Sequence, residues 1–307
     1  MAAPTVYRST DTSAPALTGE SGKLIALLDA CLVDGYGAKA AAGWTKPYSA
    51  TNYAAYRQGG GLEHFLWVHD VATQMSRVVG YVSMTGILDG IGPFPTEAQV
   101  SGGLYVRKSV TANTTARPWI LFATDRSFYL IVFGGSTTFG TYGGGDAHLG
   151  FGQLHPAMTG DAKHSFLVAA TDTSTSSTSA TLARQVLASH GNTAGHYLAT
   201  SYTQTGTAVV FTCRPLENLY SQTSASGVGG ITYPDPVSGS LCMAPMAAQE
   251  ASLVLRGIMP GLYSLAHPMS GFANFDTFSG RDDLAGEDFL IVLTGSYGLL
   301  VQTSGGW

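Results

Sequence analysis

The sequence predicts a mainly β fold of sandwich- or barrel-like sheets with one N-terminal α-helix packed on a sheet, an α+β arrangement being the minor alternative. Three observations carry this. Apolar residues fall mostly in short runs bounded by Gly, Asp or Pro. Gly numbers 39, and Ser with Thr make up roughly a fifth of the chain, the usual punctuation of many short strands. Only one extended stretch keeps helical periodicity. With 307 residues, 45% hydrophobic and 11% charged, the chain is long enough to bury a large core and too apolar for a disordered one.

The helical stretch runs from about Gly19 to Val33. Leu24, Ile25, Leu27, Leu28, Cys31 and Leu32 recur on one face, Thr18 or Ser21 supplies the cap, and Gly35 a left-handed stop. After an Ala/Gly-rich segment comes Pro47, which lacks a donor and so suits a sheet edge or a strand start. Strands are expected at Asn52 to Gln58, His64 to Val71, Val78 to Met84, Pro118 to Thr124 and Ser127 to Phe133. The last two flank Asp125-Arg126, as in an antiparallel hairpin with a tight turn. Their unbroken apolar character implies burial on both faces, by a helix on one side and another sheet on the other, so the core is expected there.

Gly134 to Gly145 reads as a loop. Further strands are expected at Phe166 to Ala170, Tyr197 to Tyr202, Thr207 to Cys213, Leu253 to Gly257, Asp288 to Leu293 and Leu299 to Thr303. Thr171 to Thr181 and Ser221 to Gly230 read as exposed loops or disorder, and Leu182 to Ser189 as a short helix. No fixed repeat period argues for a solenoid or propeller. The expected division is an extended N-terminal arm over 1–18, lying across a neighbouring subunit, then a helix-plus-sheet domain over 19–140 and a β-rich half over 141–307. The last two are separable at the Gly134–Gly145 loop or continuous as one domain.

Lys and Arg number 15 against 20 Asp and Glu, a net charge of -5. Nucleic-acid binding as the main task needs clustered phosphate-neutralising cations, and here only Arg107-Lys108 are adjacent. Sparse charge favours a subunit whose surface is covered by neighbours. Cys31, Cys213 and Cys242 are widely spaced and form no metal or disulfide framework, and Cys31 is expected as a buried free thiol. The first ten residues lack the features of a secretory leader, and no apolar run reaches membrane-spanning length, so a soluble protein made in the cytoplasm is expected.

Tests for chemistry give no catalytic, cofactor-binding or metal-binding assignment. There is no GxSxG turn and no pair of His four apart on a helix. Asp146, His148, His155, Asp161 and His164 place five possible ligands close in sequence, but their spacing matches no familiar metal site. Gly59-Gly60-Gly61 and Gly143-Gly144-Gly145 open no helix and read as turns, not phosphate cradles. Glu63 with Asp70, or Asp282 with Glu287, supplies paired carboxylates whose spatial separation decides whether glycoside chemistry is open to them. Tyr36, Trp44, Tyr48 and Tyr53 suit core or interface packing better than sugar stacking.

Several segments resemble a family of uncharacterised, tail-associated virion structural proteins of tailed bacteriophages. They are Tyr7 to Asp11, Ala16 to Gly19, Leu24 to Val33, Gly35 to Lys46, Arg117 to Phe133, Phe151 to Gln153 with Gly160 to Ala162, Leu255 to Tyr263 and Asp283 to Gly286. Met84 to Thr115 and Thr171 to Gly230 show no resemblance. The resemblance implies a non-enzymatic adaptor of the tail, baseplate or head–tail junction, residing in the virion. It also implies contacts with other tail, baseplate, connector or capsid subunits and a homo-oligomeric ring, without cofactor, direct nucleic-acid contact or membrane insertion. A capsid decoration protein and a receptor- or glycan-binding tail component are the alternatives. Whether the 171–195 and 221–230 loops bind a ligand is left open.

Overall fold

Strand-forming runs separated by glycines build two antiparallel sheets in a computed structural model that describes residues 2–141, 145–170, 187, 195–204, 209–215, 243–250, 254–265, 272–294 and 297–307. The chain opens with β1 (Thr5–Arg8) and helix α1 (Lys23–Leu28). A six-stranded sheet follows, in the order β2 (Thr45–Ala50), β3 (Tyr53–Arg57), β4 (Phe65–His69), β5 (Met75–Gly86) and β6 (Asp89–Phe94). Its sixth strand, β7 (Leu104–Arg107), pairs the first residues of β5. Pro47 lies in the edge strand β2, where its missing donor costs no ladder bond.

The remaining strands are β8 (Trp119–Ala123), β9 (Phe128–Val132), β10 (Ala147–Gln153), β11 (His155–Pro156), β12 (Ser165–Val168), β13 (His196–Leu198) and β14 (Val209–Pro215). They continue with β15 (Met243–Glu250), β16 (Leu255–Leu265), β17 (Thr277–Ser279), β18 (Asp288–Thr294) and β19 (Tyr297–Gln302). With β1 they form a thirteen-stranded sheet in the order β1-β8-β9-β10-β12-β13-β14-β15-β16-β19-β18-β17, with β11 off this path on β16.

Alternation along β8 and β9 divides the core in two. Trp119, Leu121, Phe128, Leu130 and Val132 face Leu24, Leu27 and Leu28 of α1 and Tyr56, Leu66, Val68 and Val78 of the small sheet. Ile120, Phe122, Tyr129 and Ile131 face Met246, Met259, Leu290, Val292, Leu299, Val301 and Trp307 from the C-terminal part of the large sheet. Every residue of β8 and β9 is buried, as double-sided packing requires. The result is three layers, with the β8–β9 hairpin in the middle one.

The helix is shorter than its periodicity suggests. After α1 the chain widens into a π-helical segment, Asp29–Asp34. The Tyr56 hydroxyl sits at the switch, 3.1 Å from the Ile25 carbonyl and 2.9 Å from Asp29 Oδ1, and a side chain inserted into the helical ladder is a recognised cause of such a break. Neither Thr18 nor Ser21 caps the helix. Gly22 occupies the N-cap, and the Asp70 carboxylate, far along the chain, takes the free N–H groups instead. Gly35 ends the segment with positive φ (78°) but an extended ψ (168°), and an added Cβ there would meet the Lys39 carbonyl. Cys31 is buried as expected, and burial pushes its thiol pKa up.

The expected N-terminal arm needs correction. Residues 2–18 pack on their own chain: β1 pairs β8, Leu17 bridges Arg117, and Tyr7 and Leu17 are fully buried. Tyr7 hydroxyl donates to the Ala40 carbonyl (2.7 Å) and Trp119 Nε1 to that of Pro15 (3.1 Å). Across residue 140 the sheet is continuous, Val132 facing Ala147. The expected helix at Leu182 to Ser189, apart from Leu187, and the loops at Thr171 to Thr181 and Ser221 to Gly230 lie outside the described residues, as does Cys242.

Candidate functional site

Two buried ion networks hold the layers together. Asp70 follows β4 and Lys108 follows β7, and both are fully buried. Asp70 Oδ2 accepts from the N–H groups of Leu24 (2.8 Å) and Ile25 (3.3 Å), while Oδ1 accepts from the Ser76 hydroxyl (2.6 Å) and the Lys108 ammonium. Lys108 donates also to the carbonyls of Glu20 (2.6 Å) and Ala72 (3.0 Å), so each of its three protons has an acceptor. Burial pushes the Lys108 pKa down, against the opposing pull of Asp70.

The second network centres on Arg256 of β16, also fully buried. Its guanidinium donates to Asp161 Oδ2 (2.7 Å), Glu250 Oε1 (2.5 Å) and the Thr200 carbonyl (2.7 Å). Gln204 Nε2 and the Lys163 N–H add bonds to Asp161, and the Tyr202 N–H adds one to Glu250. Burial alone would raise the Asp161 carboxyl, but these hydrogen bonds and the Arg256 charge hold it below the usual range.

The groups singled out in the sequence are thereby dispersed. Among the described residues no three His, Cys, Asp or Glu side chains stand close enough to hold a metal. Asp161 belongs to Arg256, and His148 is sealed inside β10, its Nδ1 accepting from the Leu187 N–H (3.3 Å). His164 Nδ1 lies 2.5 Å from the Asp161 carbonyl. Glu63 pairs at the surface with Arg57, whereas Asp70 is buried with Lys108, so that carboxylate pair is split. Asp282 opens a surface 3-10 turn, Asp282–Leu284, and Glu287 follows it. Gly59 to Gly61 form a turn docked on the β8–β9 loop, through Gly59 N–H to the Asp125 carbonyl (2.9 Å) and Gln153 Nε2 to the Gly60 carbonyl (3.0 Å). Gly143 and Gly144 lie outside the described residues.

Of the four aromatics, two are structural. Trp44 is buried against Phe128 and Phe151 and donates to the Thr124 carbonyl (2.7 Å), and Tyr36 packs on Tyr7 and Trp119. Tyr48 and Tyr53 lie half-buried on the outer face of the small sheet, Tyr48 over Phe65 and Tyr53 parallel to His69 at 4.2 Å, with Trp67 beside it. The β5–β6 hairpin extends past Tyr81, the last residue of β5 paired with β4. Trp67 Nε1 donates to the Ile87 carbonyl (2.8 Å) at its tip, yet Leu88 and Ile91 there are 74% and 63% exposed.

Two buried imidazoles contribute to the pH response. Burial lowers the pKa of His148 to about 3, and burial with the nearby His164 and Lys163 charges lowers that of His64 to about 4. An unfolded imidazole titrates near 6.5, so below that pH the unfolded chain binds more protons than the folded one. Stability is therefore full above about pH 6.5 and falls as pH drops, by roughly 3 kcal/mol for each group at about pH 4. Urea midpoints measured from about pH 7 to about pH 4.5 are expected to fall less steeply for His64→Gln than for the native chain. Equal slopes would contradict the assignment.

No protein-family model matches the chain, and no curated protein matches it. Among the described residues no helix is long and apolar enough to cross a membrane.

Proposed function

We propose that the chain is a structural subunit of a tailed-bacteriophage particle, an adaptor in the tail, baseplate or head–tail junction that acts by contact with other subunits and not by catalysis. The resemblance of its segments to tail-associated virion proteins supports this reading. So does the use of its buried charges, which are engaged with one another and with backbone groups. The observation that carries it is the β5–β6 hairpin: a tip held in shape by Trp67 that leaves two large aliphatic side chains in water. A preorganised apolar tip loses little entropy on docking, which suits Leu88 and Ile91 to a contact with another subunit.

The test is assembly in the encoding phage. Leu88→Asp with Ile91→Asp is expected to leave the urea midpoint of the purified chain unchanged and to remove it from purified particles. Normal incorporation of this variant would contradict the docking role of the hairpin.

A further inference from the structure

At one edge of the molecule the β8–β9 turn, the 58–64 loop and the 153–164 segment meet. Gln58 Nε2 donates to the Arg126 carbonyl (2.6 Å), Gln153 Nε2 to Gln58 Oε1 (3.1 Å), and the His64 and Leu154 N–H groups to Gln58 Oε1 and the His164 carbonyl (each 3.0 Å). These bonds gather Arg126, Lys163, His64, His155 and His164. Arg126 and Lys163 are exposed, His155 and His164 half-buried, and His64 is buried with no hydrogen-bond partner on Nδ1. Beyond burial, the Lys163 charge helps lower the pKa of His64 and the Arg126 charge that of His155, so one positive field covers the patch.

Local carboxylates cancel this field only in part. Glu63 is held by Arg57 and Asp161 by Arg256, and Asp125 is the nearby acid without an ion pair among the described residues. Lys23, Lys39, Lys46, Arg57, Lys108 and Arg256 have carboxylate partners, Arg117 is bonded to Ser109, Thr111 and Ser136, and Arg77 lies over the Tyr105 ring, whereas Arg126 and Lys163 are exposed with no ion pair among the described residues. Elsewhere on the surface, residues 276–288 carry the opposite excess. Asp276, Asp282, Asp283, Glu287 and Asp288 are exposed or half-buried there and face only one cation of the segment, Arg281, with no ion pair among the described residues.

We propose that Arg126 and Lys163, with the half-buried His155 and His164 as further donors, bind the acidic 276–288 segment of a second copy of this chain. The inference deepens the subunit reading above and rests on it. Two different patches in contact make a head-to-tail interface, which closes into a ring when the rotation between copies allows. Charge complementarity at exposed side chains supplies orientation and salt-sensitive affinity.

The test is the molar mass of the full chain by light scattering and sedimentation, at about 50 mM and about 500 mM NaCl. The native chain is expected to self-associate, by about 10-fold or more less tightly at the higher salt. Arg126→Glu with Lys163→Glu should give monomers, as should Asp283→Lys with Glu287→Lys, while mixing the two variants restores association as mixed oligomers. If either reversal lowers the urea midpoint, Arg126→Gln with Lys163→Gln replaces it and is expected to weaken association in the same direction. A native chain that stays monomeric, reversals without effect, or a mixture that fails to associate would each overturn the proposal. Particle content separates this from the wider reading. A chain present in particles but indifferent to these reversals loses only the inference, and a chain absent from particles whose copies pair through these patches loses only the virion role.

Discussion

Replacing Asp70 by Ala is expected to destabilise the chain by about 3–5 kcal/mol, read as a fall in the urea midpoint at neutral pH. The substitution strands a fully buried ammonium, Lys108, and leaves the N–H groups of Leu24 and Ile25 without their acceptor at the start of α1. Removing one partner of a buried pair costs more than the pair contributes net, because the remaining charge stays out of water. Lys108→Met is therefore also costly, and the double variant Asp70→Ala with Lys108→Met should be less destabilised than the sum of the singles by about 1 kcal/mol or more. Strict additivity, or a loss under about 1 kcal/mol for Asp70→Ala, would contradict the role given to this pair.

Arg256→Met should have an effect of similar size, about 3–5 kcal/mol. It leaves Asp161 and Glu250, both buried, facing each other across the space of the lost guanidinium. Because like charges in a desolvated site favour protonation of one of them, the variant is expected to recover part of its stability on mild acidification. That is opposite in sign to the histidine effect, so the comparison is best made with the His64→Gln background. A variant with the native midpoint would mean that the network does not tie the 200–204 segment to β15 and β16.

These charged networks were the least legible part of the sequence. Asp70 and Lys108 lie 38 residues apart, and Asp161 and Arg256 lie 95 apart, so no local pattern pairs them. The available signal was Arg256 itself, a cation interrupting the apolar run from Leu253 to Ile258. The β8–β9 hairpin, by contrast, was readable in full, because a strand buried on both faces needs apolar residues at every position. Neighbouring β10 was not, since Gly150, Gly152 and His148 interrupt its pattern. The structure gives the reason: an added Cβ at Gly150 would stand 3.1 Å from the Tyr129 ring, and one at Gly152 would collide with Ser127. Strand β6 hides its identity in the same way. Gly90 lies beneath the Tyr81 ring, so the partner strand supplies the bulk that the sequence of β6 lacks.

The surface was legible only in part. Tyr48 and Tyr53 read as aromatics for core or interface packing, and they lie half-buried on the open side of the small sheet. Leu88 and Ile91 gave no signal, because a single exposed aliphatic residue looks the same in sequence as a buried one. Their exposure follows from β5 outrunning β4, a feature of sheet geometry and not of composition.

The proposed role is that of a subunit that works by fitting against other subunits. If it is a virion subunit, a reconstruction of the intact particle shows it in place. The expected result is density for this chain in a closed, symmetric arrangement, with Leu88 and Ile91 seated in a neighbouring subunit. Particles that lack the chain, together with an isolated protein that turns over a substrate and stops when one acid or histidine is replaced, would contradict it.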